Sequence, residues 1–350
     1  MDRRAIGQAL LAAALFGAST PLAKLLAAEV APLLLAGLLY LGSGTGLAIW
    51  ILARSAQRGT FRGAFGLSAR DAPWLAAAIG AGGIAGPALL MYGLVSSDAA
   101  SVSLLLNLEA VFTALIAWWL FRENVGLRVL LGMLAIVAGG VLLSWQHWPR
   151  AMALAGPLLV VAACLAWAID NNLVRRVSGG DAAAIAALKG VVAGAVNLAL
   201  ALMNGAVLPS LSHLAAIGAV GFIGYGVSLA LFIAALRGLG SARTSAYFSV
   251  APFFGAALAL VVLGERPHGL FWLAAALMAL GVWLHVSERH EHEHTHPPLE
   301  HGHEHVHDEH HRHEHDFAWD GREPHSHAHR HAALTHRHPH YPDLHHRHGH

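Results

Sequence analysis

The chain has 350 residues, of which 56% are hydrophobic and only 12% charged, with a formal net charge of +1. A soluble domain carries roughly 25% charged residues, so a single water-soluble globule is excluded. The net charge itself says little, because it averages a membrane-like region with a histidine-rich tail; no nucleic-acid partner is expected.

Up to about Val286 the chain is a succession of apolar runs of 18 residues or more. Each is long enough to cross the roughly 30 Å hydrocarbon core as a helix. Backbone polar groups in lipid must be satisfied internally, which leaves helices or a closed barrel. Barrel strands alternate and span only about 10 residues, whereas these runs are longer and rich in Ala, Leu and Gly. The reading is an all-α membrane protein with ten spans, near 5–27, 33–53, 72–96, 99–121, 127–145, 155–177, 182–204, 213–237, 241–263 and 269–287. Arg3 and Arg4 before the first run resemble the start of a signal peptide. The run is too long for that, and Lys24 and Glu29 follow it without a cleavage site, so it reads as a retained span. Arg58 to Arg70 is expected to form a short interfacial helix. Cys164 is the single cysteine, which rules out an intrachain disulfide.

Basic residues at alternate ends set the expected orientation. One side collects Arg3, Arg4, Arg54, Arg58, Arg62, Arg70, Arg122, Arg128, Arg175, Arg176, Arg237 and Arg243; the other collects Lys24, Arg150 and Arg266. Both termini are therefore expected in the cytoplasm, with the chain in the cytoplasmic (inner) membrane. The layout also repeats. Asn107 to Leu143 and Ser249 to Leu284 share an apolar helix, a glutamate at the turn and a second apolar helix, with Glu123 opposite Glu265 and Gly139 opposite Gly281. Likewise Ala13–Leu26 lies beside Cys164–Val177, with Phe16 facing Trp167 and Lys24 facing Arg175. Five spans per half is an odd number, so the second half enters from the opposite side, an inverted repeat. The expected divisions are 1–148 and 153–288 for the two five-helix repeats and 289–350 for a disordered cytoplasmic tail.

With FGASTPLAK (Phe16–Lys24), LAWAIDNNLVRR (Leu165–Arg176), LFREN (Leu120–Asn124) and VLGERP (Val262–Pro267), the region 1–287 resembles the EamA-type members of the drug/metabolite transporter superfamily. The resemblance implies ten helices and export of small solutes by alternating access, often proton-linked. Phe16-Gly17 stands where a Trp-Gly pair is common in the family, and Ala110 stands where the second half has Pro252.

Several intramembrane polar residues are candidates for the pathway. Glu109 sits deep in the fourth run, where a charged group costs at least ~2.5 kcal/mol on insertion scales. It should face the bundle interior or a watery cavity and is a candidate proton or cation binder. Lys189 in the seventh run is its candidate counter-ion, in which case both would be structural. Asn107 is two residues from Glu109, hence on another face. Asp170, Asn171 and Asn172 form a polar cluster that reads either as a substrate or ion contact or as helix–helix hydrogen bonding. Trp167, Tyr92, Tyr225 and Tyr247 are candidate cavity-lining aromatics. Glu123 and Glu265, at span ends, are expected to pair with Arg122 and Arg266 or to cap the following helix. Pro21, Pro87 and Pro252 are interior prolines expected to bend their helices. The runs GAGGIAG (Gly80–Gly86) and GAVGFIGYG (Gly218–Gly226) have no strand before them and no Gly-Lys-Ser/Thr, so they read as close helix packing. With no phosphate loop and no catalytic triad, the reading is not an enzyme and not an ATP-driven pump.

All but four of the 27 histidines lie beyond Ser287. His290, His292, His294, His301, His303, His305, His307, His310, His311, His313, His315, His325, His327, His329, His336, His338 and His340 alternate with Glu, Asp or small residues. Neutral imidazole suits Zn, Ni, Co and Cu(II), so the tail reads as a low-specificity binder of divalent transition metal. It lacks the apolar residues of a core, and disorder is expected without metal. The expected function is a secondary transporter exporting a small solute, proton-linked, with a metal-binding tail, the metal itself (Ni, Co or Zn) being one candidate cargo. Alternatives are an amino-acid or metabolite exporter with a metal-sensing tail, and a non-transporting membrane metal reservoir. The expected partners are lipid and a small solute or metal cation, no cofactor is expected for transport itself, and oligomeric state is left open.

Overall fold

A computed structural model of the chain describes residues 3–58, 71–121, 126–145, 154–174, 182–239 and 241–287, and in the tail 291–296, 299–305, 325–331 and 334–339. Among them, ten helices are long and apolar enough to cross a membrane. They are α1 (Arg3–Leu26), α2 (Pro32–Ala56), α3 (Ala72–Val95), α4 (Ala99–Leu120), α5 (Leu127–Trp145), α6 (Ala155–Val174), α7 (Ala183–Met203), α8 (Leu211–Ala235), α9 (Thr244–Val262) and α10 (Gly269–Val286). The predicted spans all recur, with ends displaced by a few residues. Residues 59–70, which hold most of the expected interfacial helix, lie outside the described residues, as do Arg122, Glu123, Asn124, Arg175 and Arg176.

The packing follows the repeat. α1 lies against α8 and α9, and its mate α6 lies against α3 and α4. α2 packs on its own mate α7, α5 on α10, and α4 on α9. Each half therefore lends its first helix to the other, three pairs set an element against its counterpart, and α2 also packs on α8 and α7 on α3. Glycine permits the closest crossings: a Cβ added to Gly132 on α5 would stand 2.7 Å from the Gly281 carbonyl of α10. In lipid, where no hydrophobic force drives helices together, such small-residue contacts supply the packing.

Two kinds of irregularity recur at matched places. α3 turns into a π-helix over Ile79–Ala85, and α8 does so over Phe222–Val227. These are the glycine-rich runs of the sequence. α4 is broken into Ala99–Leu105 and Leu108–Phe121, and α9 is broken before Ala251, following Ser241–Phe248. The alignment that sets Glu123 opposite Glu265 sets Asn107 opposite Ser249 and Leu104 opposite Ala246. Asn107 Nδ2 donates to Leu104 O at 2.8 Å, and Ser249 Oγ donates to Ala246 O at 2.7 Å. Each break thus has a polar side chain that satisfies a carbonyl in the turn before it, as lipid requires.

The interior prolines behave differently from the sequence expectation. Pro21 lies inside an unbroken helix, while Pro87 and Pro252 stand at the first positions of the helical pieces that follow the π turn and the α9 break. A helix start needs no N–H from its first residues, so proline is tolerated there.

The tail, Arg289–His350, is a unit separate from Met1–Glu288. Its described residues form two antiparallel ladders: β1 (Glu291–His296) with β4 (Leu334–Pro339), and β2 (Leu299–His305) with β3 (His325–His331). The alternation of histidine with other residues has the period of a strand. Two-stranded ladders are marginal in water on their own, and the sequence supplies no apolar face to bury beneath them, in line with a tail that lacks a folded core.

Candidate functional site

The break in α4 decides where Glu109 sits. The helix restarts at Leu108, so Glu109 falls in the first turn of the second piece. The exposed N–H groups and dipole of a helix start favour a carboxylate there. Glu109 Oε1 accepts a hydrogen bond from Asn171 Nδ2 of α6 at 2.8 Å. Asn171 Nδ2 also reaches Thr113 Oγ1, one turn further along α4, at 3.5 Å.

Lys189 does not pair with Glu109. Its ammonium donates to Asp170, at 2.6 Å to Oδ1, and forms an ion pair with that carboxylate, which is 5% exposed. The reason is helical geometry. Asp170 and Asn171 are neighbours in sequence but about 100° apart around α6. Asn171 meets α4, while Asp170 meets α7 and the π turn of α3, where a Cβ on Gly82 would collide with it. Asn172, buried, donates to Ala168 O at 2.8 Å and to Thr113 O at 3.3 Å, a helix-to-helix bond. Asn107 is likewise buried and serves the α4 break.

Trp167 lies one turn before Asp170 on α6. Its Nε1 donates to Gly82 O at 2.9 Å, and Tyr40 Oη of α2 donates to the same carbonyl at 3.3 Å. Asn197 Nδ2 of α7 donates to Ile84 O at 3.3 Å. The π turn weakens its own ladder, and three neighbouring helices supply donors to it. From Tyr40 a row of aromatic rings runs across the bundle: Tyr40 to Tyr225 at 5.9 Å, Tyr225 to Phe16 at 5.7 Å, and Phe16 to Phe248 at 5.4 Å. Glu109, Tyr40 and Tyr225 are surrounded by protein, yet each keeps some accessible surface.

The structure thus brings together Glu109, Asn171, Asp170, Lys189 and Trp167. It leaves out Tyr92, which is 46% exposed on α3, and Tyr247, which is half-buried and outside the aromatic row. Sequence reasoning missed Tyr40 and Phe248. Tyr40 is the one tyrosine of α2, which was a signal; Phe248 carried none, since its role depends on the α9 break that follows it. A separate groove of about 470 Å³ is lined by Phe112, Leu115, Ile116, Trp118, Trp119 and Leu165.

The central groups have distinct chemical capacities. Asp170 already holds its countercharge. Glu109 is held by a neutral amide, so it is free to take a proton or a cation. Glu265, expected to serve Arg266 or the start of α10, instead accepts from Ala99 N at 2.7 Å and Ala100 N at 2.8 Å. In the tail, the register sets His292 opposite His338, His294 opposite His336, His301 opposite His329, His303 opposite His327 and His305 opposite His325. His290, His307, His310, His311, His313, His315 and His340 lie outside the described residues.

Residues 3–145 and 154–287 match the EamA-like transporter family. An uncharacterized transporter from Methanothermobacter thermautotrophicus (strain Delta H) is 31% identical over 205 residues, covering 57% of this chain and 60% of that protein. The chain therefore aligns with less than two thirds of that relative. A solved crystal structure of a protein shares the fold with a TM-score of 0.58 at 22% identity, over 81% of this chain and 98% of the other.

Proposed function

The chain belongs to the EamA-like transporter family, and from that membership we propose that it exports a small solute across the cytoplasmic membrane by proton-linked alternating access. The single observation that carries the proposal is the seat of Glu109. It is a half-buried carboxylate in the first turn of a helix that restarts at Leu108, hydrogen-bonded to a neutral amide. Broken helices at the interface of inverted repeats are where such proteins hold substrate and coupling ions. Protonation of Glu109 removes the charge that a bound solute or cation would meet, so the two compete for one site. The Asp170–Lys189 pair fixes α6 against α7, and the aromatic row gives the solute an apolar wall.

In this reading the repeats 1–148 and 153–288, with α1 and α6 exchanged between them, form the moving halves, both termini are cytoplasmic, and no cofactor takes part in transport. Residues 289–350 bind divalent transition metal through imidazoles alternating along the chain, with little selection among Ni, Co, Zn and Cu. The cargo is an amino acid or related metabolite rather than the metal, because the central groups are one free carboxylate, amides and an internally satisfied ion pair, a weak donor set for a transition metal.

The test is flux in proteoliposomes of the full chain and of a chain ending at Ser287. An imposed proton gradient should drive amino-acid or metabolite efflux in both, and the shorter chain should lose metal binding by equilibrium dialysis. Flux of Ni²⁺, Co²⁺ or Zn²⁺ that vanishes on truncation would instead make the metal the cargo. No flux of any solute would leave a membrane metal reservoir.

A further inference from the structure

The turn from Ser96 to Asp98, between α3 and α4, is held by two residues remote in sequence. Lys24, at the end of α1, donates to Leu94 O at 2.6 Å, Val95 O at 3.2 Å and Ser97 O at 2.8 Å. Leu94 and Val95 are the last residues of α3, and the carbonyls at a helix end lack partners of their own. On the other side of the turn, the two carboxylate oxygens of Glu265 accept from Ala99 N and Ala100 N, the first N–H groups of α4. Asp98 caps the same start by accepting from Ser101 N at 2.8 Å. A cation thus serves a helix C-terminus and an anion a helix N-terminus, each matching the local dipole.

The placement of Glu265 is not what a boundary residue needs. α10 begins four residues later, and its N-cap, His268, makes no side-chain capping bond. Glu265 leaves that nearby helix start and reaches α4 instead. α4 belongs to the first repeat and Glu265 to the second, so these are hydrogen bonds between halves at one face of the membrane. Charge-assisted bonds to backbone N–H are among the stronger kind.

We infer that Glu265 is the gate tie of this membrane face: its paired hydrogen bonds to Ala99 and Ala100 hold the two halves closed there and break when the face opens. The inference rests on the transport reading above, in which the halves rock about a central site. A bond made in one state and absent in the other sets the ratio of the two populations. Lys24 is a positioning residue in this scheme. It fixes the turn so that the N–H groups of α4 point at Glu265.

The test measures the distance across this face. Spin labels at Ser96→Cys and His268→Cys, both exposed positions, are placed on the full chain carrying Cys164→Ala and read by pulsed electron spin resonance in lipid nanodiscs. The parent should give a short, narrow distribution. Glu265→Ala should raise the ratio of long to short distances at least tenfold. Glu265→Gln, which keeps the shape but loses the charge, should give a smaller rise in the same direction and serves as the readout if the alanine variant does not fold. Asn204→Ala, at an exposed side chain that bonds within its own helix to Leu200 O, should leave the distribution unchanged. An unchanged distribution in folded Glu265→Gln, or an equal shift in Asn204→Ala, overturns the gate. If the distances shift as expected but no variant moves solute, the transport reading falls and the gate stands; if solute moves and the distances do not respond, the gate alone falls.

Discussion

The broken α4 of the first repeat and the broken α9 of the second are the same backbone device with different chemistry. Both lose one helical turn near the middle of the bundle, and both return a side-chain donor to the carbonyl three residues earlier, from Asn107 to Leu104 and from Ser249 to Ala246. Beyond the break they part. The first repeat has Leu108, Glu109 and Ala110, which places a carboxylate at the new helix start; the second has Val250, Ala251 and Pro252, which places only apolar atoms there. Duplication preserved the geometry that opens a helix inside lipid, and only one copy kept an ionisable group in it. In the proposed transport cycle, this symmetric scaffold with an asymmetric charge is what lets both faces open in turn while one site does the binding.

Four substitutions probe this difference, in falling order of effect. Lys189→Met leaves Asp170 buried without its countercharge and should cost about 3–5 kcal/mol, as breaking a buried pair does. Thermal unfolding in detergent measures it, and adding Asp170→Asn should recover most of the loss. Full stability of the single variant would mean that the second repeat does not depend on this pair. Asn107→Leu removes the side-chain donor at the α4 break while Leu104 O keeps the backbone N–H of residue 107 at 3.1 Å, a loss of about 1.5 kcal/mol by the same measurement. Glu109→Gln keeps the bond from Asn171 but cannot take up a proton. It should lower proton-driven flux about tenfold, equivalent to roughly 1.4 kcal/mol, with unfolding temperature little changed. Unaltered flux with unaltered pH response would make Glu109 a structural carboxylate and the two breaks functionally alike. Ser249→Ala, the mildest, should cost about 1 kcal/mol, because a hydroxyl returns less than an amide. A larger loss than that of Asn107→Leu would reverse the ranking of the two breaks.

Much of the fold was legible in the chain itself. All ten helices follow from the length of the apolar runs, and the turns follow from Ala31-Pro32, Ser96-Ser97-Asp98 and Glu265 to His268. The inverted repeat followed from an odd number of spans per half. The breaks were less legible. Proline was the expected cause of bending, yet Pro21 lies in a continuous helix and the α4 break has no proline. Asn107 makes that break because its amide can replace a backbone donor, which a sequence pattern does not announce. The glycine runs were read as close packing; they also form the π turns, whose carbonyls need Trp167, Tyr40 and Asn197 as donors.

Partner choice was the least legible. Lys189 had two acids within plausible reach, and the chain alone does not say which. Asp170 wins because α6 presents it to α7 while presenting Asn171 to α4. Glu265 had a neighbour, Arg266, and a nearby helix start, and uses neither. By itself, the sequence determined the ten helices that, among the described residues, are long and apolar enough to cross a membrane, because hydrocarbon thickness and backbone hydrogen bonding leave no other use for runs so long and so apolar. Only the tertiary structure decided which polar groups meet, because a step of one residue turns a side chain about 100° around its helix, and what lies in that direction is fixed by neighbours far away in the chain.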